Sequence, residues 1–140
     1  MSPTKGLRVR LFLDANVLVS ASWKENSKVV RIWQIVGVEL VTSNYVVSEC
    51  RRNLPREEQQ LRLTKLLASV RVLQIPGIPV LENPPQLAEK DQPVLAAAVL
   101  ARADFLVTGD RNHFGQWYGS TICGLRVEPP ARFLEVLVER

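Results

Sequence analysis

Short apolar runs alternate with helical patterns along this chain, and that alternation limits the folds it can adopt. We predict strands at 8–13, 38–42, 70–75 and 104–108, a weaker fifth strand near 121–127, and helices at 27–36, 45–54, 55–69, 92–102 and 130–138. Strands that alternate with helices form parallel sheets, because each helix carries the chain back across the sheet. The sequence therefore predicts an α/β protein, a three-layer α/β/α sandwich with a central parallel sheet.

Residues at the expected helix starts support this assignment. Ser27 is the expected N-cap of the first helix, and Ser43 or Asn44 that of the second. Pro55 and Pro93 suit the first turns of the third and fourth helices, where the missing N–H of proline costs nothing.

Length and composition indicate one globular unit. The chain has 140 residues, of which 46% are hydrophobic and 23% charged, so wholesale disorder and a disulfide-dense miniprotein are excluded. The proline-rich stretch 76–90 is too short and too apolar for a domain linker, and we predict a single domain over 1–140.

Cysteine usage and the apolar runs bear on the compartment. Cys50 and Cys123 form no CxxC pair, so we expect no zinc site of the Cys/His type and a reduced, cytoplasmic setting. Asp14 interrupts the first apolar run, which excludes a signal peptide there, and no run reaches the roughly 18–20 apolar residues of a membrane span.

Four acidic residues are expected at one edge of the sheet. Asp14 directly follows the first strand, and Asp110 follows the fourth after one glycine. Ligands of open parallel sheets bind beyond the carboxyl ends of the strands. The N-terminal turns of crossover helices lie at that same edge, which adds Glu49 and Asp91. We therefore expect these four carboxylates to converge.

Such convergence needs a counter-charge. Two unit charges about 4 Å apart repel by roughly 4 kcal/mol at an effective dielectric constant near 20. Oxygen ligands with no histidine or cysteine nearby favour a hard cation, Mg²⁺ or Mn²⁺. Such an ion polarises a phosphate oxygen and lowers the pKa of water, so the pattern indicates metal-dependent phosphodiester hydrolysis.

Each acid also has a purely structural interpretation. Asp14 could end its strand or help Asn16 cap the next helix, and Asp91 could be an N-cap. Asp110 could be an ordinary turn residue, and Glu49 a solvated residue in mid-helix. The shared edge, rather than any single acid, supports the functional interpretation.

Five segments together resemble the motif series of the PIN-domain ribonucleases. These segments are LFLDANVLVSA, SEC at 48–50, KDQPVLAAAVLARADFLVTGD, TGDRNHF and the closing helix PARFLEVL. Their order and spacing match the family over nearly the whole chain, and the match is most specific in 91–114.

The resemblance implies a parallel α/β/α fold whose acidic cluster binds Mg²⁺ or Mn²⁺ and cleaves single-stranded RNA. By motif position, the catalytic and metal-binding residues would be Asp14, Glu49, Asp91 and Asp110. Thr108, just before the last motif, and Asn16 would support them. Small proteins of this family resemble the VapC-type toxins of toxin–antitoxin pairs, which implies an antitoxin protein as a partner.

Two nearby positions are not assigned to the site. Some family members carry another acid two residues beyond the TGD aspartate, where this chain has Asn112, an uncharged ligand at best. A second metal position is therefore in doubt. Asp104 begins its strand, which places it at the opposite edge of the sheet.

The charge outside the site suits a polyanion. Without the four acids, the chain has 18 basic and 10 acidic residues, a balance of +8. RNA binding requires such neutralising contacts. The candidate phosphate contacts are Arg51, Arg52, Arg56, Lys90 and Arg111, with ordinary solvated charge as the alternative.

Three ring-bearing residues near the last motif have less certain roles. Trp117 and Tyr118 could stack on unpaired bases, although packing in the core or at its rim is the alternative. His113 is not assigned as a general base, because a cation activates water by itself and Phe114 indicates that the turn packs inward. A homodimer stays open, since small α/β domains commonly dimerise.

Two other classes of protein compete with the nuclease. A receiver or dehalogenase-like phosphatase needs an acidic pair or Asp-x-Asp after the first strand, and Asp14-Ala15-Asn16 disfavours both. A non-catalytic RNA- or protein-binding module with the same fold, in which the acids no longer act, stays open.

Overall fold

A six-stranded sheet covered by helices forms the centre of the protein. The computed structural model describes residues 8–138, with side chains as far as Glu135. The strands are β1 (Val9–Leu13), β2 (Val38–Ser43), β3 (Val70–Leu73), β4 (Phe105–Val107), β5 (Thr121–Ile122) and β6 (Leu125–Glu128). The helices are α1 (Ala15–Trp23), α2 (Asn44–Arg52), α3 (Glu57–Leu67), α4 (Gln92–Leu100), α5 (Arg111–Phe114) and α6 (Pro130–Val138).

The strand order is β3-β2-β1-β4-β6-β5, and every pair is parallel except β5 with β6. The α/β class is confirmed, and the sheet is mixed only at its edge. The single weak strand expected near 121–127 is a hairpin, because Cys123 and Gly124 both have positive φ and reverse the chain there.

The order of the strands explains why the centre of the sheet is the most apolar part. β1 pairs with β2 on one side and β4 on the other, so Leu11, Phe12 and Leu13 have no exposed surface. A strand buried on both faces requires such a continuous apolar run. Residues that directly follow β1 and β4 therefore meet at the carboxyl edge, where Asp14 N–H donates to the carbonyl of Val107 at 3.0 Å.

Several helix predictions need correction. The segment expected as a helix at 27–36 is a 3-10 helix, Lys28–Gln34, and the Ser27 hydroxyl does not cap it but donates to the Ser20 carbonyl at 2.8 Å. Pro55 lies outside α3, which begins at Glu57 with Arg56 as N-cap. Ser43 caps α2 through Val46 N–H at 3.3 Å, and Pro93 lies in the first turn of α4, as expected.

Helix α1 was not assigned from the sequence. Its residues include Val17 and Ser22, types with modest helix propensity, so its stability depends on burial. Val17, Leu18 and Ala21 are buried, and α1 packs against α2 and α3. Among residues 8–138, no helix is long and apolar enough to cross a membrane.

Candidate active site

A cavity of about 410 Å³ opens at the carboxyl edge of the sheet, and all four acids expected there line it. They are Asp14, Glu49, Asp91 and Asp110, which come from four separate elements of the chain. Asn16, Asn53 and Lys90 contribute polar atoms to the same wall. The geometric expectation of one shared pocket therefore holds, while the chemical role of each acid stays a prediction.

Asp14 is the most tightly held of the four acids. Its Oδ1 accepts from Ala15 N–H at 2.7 Å, and its Oδ2 accepts from the Thr108 hydroxyl at 2.9 Å and the Asn16 amide at 3.2 Å. The side chain therefore does cap α1, as the structural interpretation held, and also faces the cavity. Burial is the main cause that raises its pKa to about 6, and the carboxylates of Glu49 and Asp91 add to the rise.

Thr108 and Asn16 connect the first and last motifs. The Thr108 hydroxyl donates to Asp14 and accepts from Asp110 N–H at 3.1 Å, so one oxygen orients both acids. Asn16 Oδ1 accepts from Gly109 N–H at 2.7 Å. A Cβ at Gly109 would lie 3.3 Å from that same oxygen, which is why this position suits glycine.

His113 lies between two of the acids, which the sequence did not reveal. Its Nδ1 is 2.8 Å from Asp110 Oδ2 and 3.0 Å from Asp91 Oδ2, and the three residues form a group that could hold a metal ion. The expectation that no histidine lies near the acids is therefore wrong. The available signal was spacing, because His113 is three residues after Asp110 and one turn of α5 places both on the same face.

Asp91 lines the cavity and has one buried carboxylate oxygen without a hydrogen-bond partner among the described residues. Its side chain is 8% exposed, and within residues 8–138 no hydrogen bond of acceptable geometry reaches its Oδ2. The side chain also makes no capping bond to α4, so its structural interpretation is not realised. Burial raises the pKa of Asp91, the nearby His113 lowers it, and Asp110 raises it further. A buried carboxylate oxygen of this kind fits a cation ligand.

Glu49 is half-buried in the second turn of α2 and lines the cavity. Its charge contributes to the raised pKa of both Asp14 and Asp91, which places it near these two carboxyl groups. Asn53 donates to the Glu49 backbone carbonyl at 2.9 Å and fills the wall beside it. Glu49 is therefore not simply a solvated residue in mid-helix.

The predicted phosphate contacts differ in their positions. Lys90 is exposed on the cavity wall, and Arg111 is exposed directly after Asp110. The guanidinium of Arg51 donates to Gln60 Oε1 at 2.9 Å, and that of Arg52 points to Ser48 at 3.5 Å. Lys90 and Arg111 are therefore the candidates closest to the acids.

The remaining residues singled out in the sequence lie apart from the cavity wall. Asn112 is exposed and not part of the lining, and Asp104 accepts from Arg10 N–H at 2.8 Å at the opposite edge. The Tyr118 hydroxyl donates to the Thr108 carbonyl at 2.8 Å, and Trp117 packs against the core. Both rings therefore have packing roles in the structure.

The fold and cavity together define a parallel α/β protein with a carboxylate-lined site at its carboxyl edge. A family model described as PIN domain matches residues 10–112, and the chain belongs to this family. No curated protein is similar enough to count as a match. PIN domains are generally nucleases and typically use divalent metals.

Solved structures share this fold. One similar structure is a chain of VapBC2 from Rickettsia felis, which was solved bound to a DNA fragment from the VapBC2 promoter. The TM-score is 0.58 at 14% identity, over 86% of this chain and 98% of that one. A PilT N-terminus domain protein from Sulfolobus solfataricus P2 has a TM-score of 0.56 and 15% identity, over 94% and 96% of the two chains. These similarities support the fold, and the function must be argued from the site.

Proposed function

We propose that this protein is a metal-dependent endoribonuclease that hydrolyses phosphodiester bonds of single-stranded RNA. The observation that carries this proposal is the buried Oδ2 of Asp91, which has no hydrogen-bond partner among the described residues, on a residue that lines a cavity together with three further carboxylates. Four acids in one pocket are costly unless a cation joins them. Membership of a family that generally consists of nucleases supports the same chemistry.

The residues that would hold a divalent cation, Mg²⁺ or Mn²⁺ in our proposal, are Asp14, Glu49, Asp91 and Asp110. When bound, such an ion supplies Lewis-acid polarisation of a phosphate oxygen and lowers the pKa of water. The chain contributes the orientation of these carboxylates. Thr108 and Asn16 hold the Asp14 carboxylate by hydrogen bonds, and the Thr108 hydroxyl also fixes the backbone before Asp110.

RNA binding follows from the charge around the acids. Lys90 lines the cavity and Arg111 directly follows Asp110, and both would contact phosphates on either side of the cleaved bond, with Arg51 and Arg52 farther along α2. Their role is to neutralise the backbone and to place the phosphate against the carboxylates. We extend the proposal to a single PIN-like domain over 1–140 that acts in the cytoplasm.

The test is cleavage of single-stranded RNA by Asp14→Asn and Asp91→Asn variants in Mg²⁺ or Mn²⁺. We expect a loss of at least about 100-fold for each, the scale of a lost transition-state interaction. Asp104→Asn is the matched control, because it removes the same charge at the opposite edge. Undiminished cleavage by either folded site variant would remove that residue from the mechanism.

We also propose that the nuclease is the toxin of a toxin–antitoxin pair. The similarity to a chain of VapBC2 supports this role, and it implies an antitoxin protein as partner. Controlled expression should arrest growth of a host cell, and the Asp14→Asn variant should not. Growth arrest by both proteins would show that toxicity does not depend on RNA cleavage. We also propose a homodimer, which sedimentation of the purified chain would test.

A non-catalytic binding module is the second candidate, and one contact favours it. His113 Nδ1 already lies 3.0 Å from Asp91 Oδ2 and 2.8 Å from Asp110 Oδ2, so a side chain of the protein occupies the position between the two acids. Isothermal titration with Mn²⁺ separates the two functions. A folded protein that binds no ion at millimolar concentration would support the module, whereas stoichiometric binding would support the nuclease.

A further inference from the structure

His113 is the one histidine of the chain, and its ring lies between two particular carboxylate oxygens. Its Nδ1 lies 2.8 Å from one carboxylate oxygen and 3.0 Å from another, yet neither contact has the geometry of a hydrogen bond. Both this nitrogen and Asp91 Oδ2 are buried atoms without a hydrogen-bond partner among the described residues. The three side chains therefore lie close together, but this nitrogen makes no hydrogen bond to either carboxylate.

The separations agree with ligands of one ion. Atoms in adjacent positions around an octahedral cation, with bonds of about 2.0–2.2 Å, lie about 3 Å apart. The two measured separations have this value, and the ligand atoms of Asp91, Asp110 and His113 all lie within 4.8 Å of one another. Each acid keeps its second carboxylate oxygen for other contacts. In Asp110 this oxygen, Oδ1, accepts from the backbone N–H of His113 at 3.2 Å.

We propose that His113 Nδ1 is a ligand of the divalent cation together with Asp91 and Asp110, and that this nitrogen makes the site prefer a first-row transition ion such as Mn²⁺ over Mg²⁺. This inference rests on the cation site of the proposed function. Imidazole is a ligand of transition metals, whereas Mg²⁺ selects oxygen ligands and keeps its water. A ligating Nδ1 carries no proton, so the ring proton belongs on Nε2.

The rest of the cavity supports a mixed ligand set. Asp14 has both of its oxygens in hydrogen bonds to Ala15, Asn16 and Thr108, whereas Asp91 Oδ2 and His113 Nδ1 have none. Two ligand atoms without hydrogen bonds therefore lie together on the side of α4 and α5. The nitrogen comes from the same short turn that positions Asp110, so the two ligands are held together by one element.

The experiment is pulsed electron paramagnetic resonance of the untagged protein loaded with Mn²⁺. Modulation by a directly bound ¹⁴N nucleus reports an imidazole ligand, and this chain holds one histidine, so the signal has one source. We expect the ¹⁴N modulation in the natural protein and its replacement by ¹⁵N coupling after labelling with ¹⁵N-histidine. The labelling arm requires no substitution and therefore no change in folding.

A second arm measures metal affinity in His113→Gln and in Asn112→Ala, the latter being the exposed neighbour outside the cavity lining. We expect His113→Gln to lose at least about tenfold in Mn²⁺ affinity and less than about threefold in Mg²⁺ affinity, while Asn112→Ala changes neither. Mn²⁺ bound with no nitrogen coupling would overturn this inference and leave the nuclease intact. Bound Mn²⁺ with nitrogen coupling but no RNA cleavage would overturn the proposed function and leave this inference standing.

Discussion

Replacing Asp14 by Asn should stabilise the metal-free protein at neutral pH, although the change removes a carboxylate oxygen that accepts hydrogen bonds in a buried site. Burial raises the pKa of Asp14 from 3.8 to about 6. The folded protein therefore keeps this proton to a higher pH than the unfolded chain does. Between about pH 4 and 6 the unfolded chain binds fewer protons, so stability falls as pH rises through this window.

The size of the effect follows from the shift. A shift of about two pKa units corresponds to about 3 kcal/mol of destabilisation above pH 6. An Asn at position 14 accepts fewer hydrogen bonds, because its NH₂ group replaces the oxygen that accepts from the NH₂ group of Asn16. The Asn16 side chain cannot turn over to accept instead without losing its hydrogen bond from Gly109 N–H. That loss costs about 1 kcal/mol. The net gain for Asp14→Asn at pH 7 is therefore about 2 kcal/mol, or about 4–8 °C in melting temperature.

The assay is urea unfolding of both proteins in a chelator between pH 4 and 8. Common groups cancel in the difference between the two stability curves, which isolates Asp14. We expect the variant to be less stable at pH 4 and more stable above pH 6, with a crossing near about pH 4.5. Parallel curves, or a variant that is less stable at every pH, would refute the assignment of a burial penalty to Asp14. Asp104→Asn, on the opposite edge, serves as the control.

Two further predictions address the supporting residues and the basic rim. Thr108→Val should lower the free energy of unfolding by about 1–3 kcal/mol, because the hydroxyl bonds to Asp14, Asn16 and Asp110, and Thr108→Ser should restore most of it. If the Val variant is as stable as the natural protein in urea unfolding, the hydrogen bonds of the Thr108 hydroxyl do not stabilise the fold. Replacing Lys90 and Arg111 together by Ala should reduce the slope of log affinity for single-stranded RNA against log salt by about 1.4. Arg31→Ala, an exposed residue outside the acidic cavity, should leave the slope unchanged.

Local patterns predicted most of the elements, because the strands are apolar runs and the helices carry start signals. Ser43 caps α2 and Pro93 opens α4 as expected, since both effects act within a few residues. The prediction failed where packing decides the conformation. Segment 28–34 winds as a 3-10 helix against α1 and α6, and α1 itself depends on burial of Val17 and Leu18.

The residues of the cavity likewise divide into those that the sequence placed and those that only the packing placed. Topology alone places Asp14 and Asp110 at one edge, because they lie within three residues of the carboxyl ends of neighbouring parallel strands. The orientation of side chains does not follow from topology, so the sequence left His113 outside the site. The turn that brings its Nδ1 between two carboxylates depends on Phe114, which is buried and anchors α5 to the core.

The sequence by itself determined most of the strands and helices, the α/β class and the edge at which four acids gather, since these depend on apolar patterning and chain direction. Only the tertiary structure decided which oxygens are already bound and which are free. Asp14 is held by Thr108, which lies just after β4 and 94 residues along the chain, while Asp91 has an oxygen beside His113 that accepts no hydrogen bond from the described residues. Those differences arise from contacts between distant segments, and no local pattern encodes them.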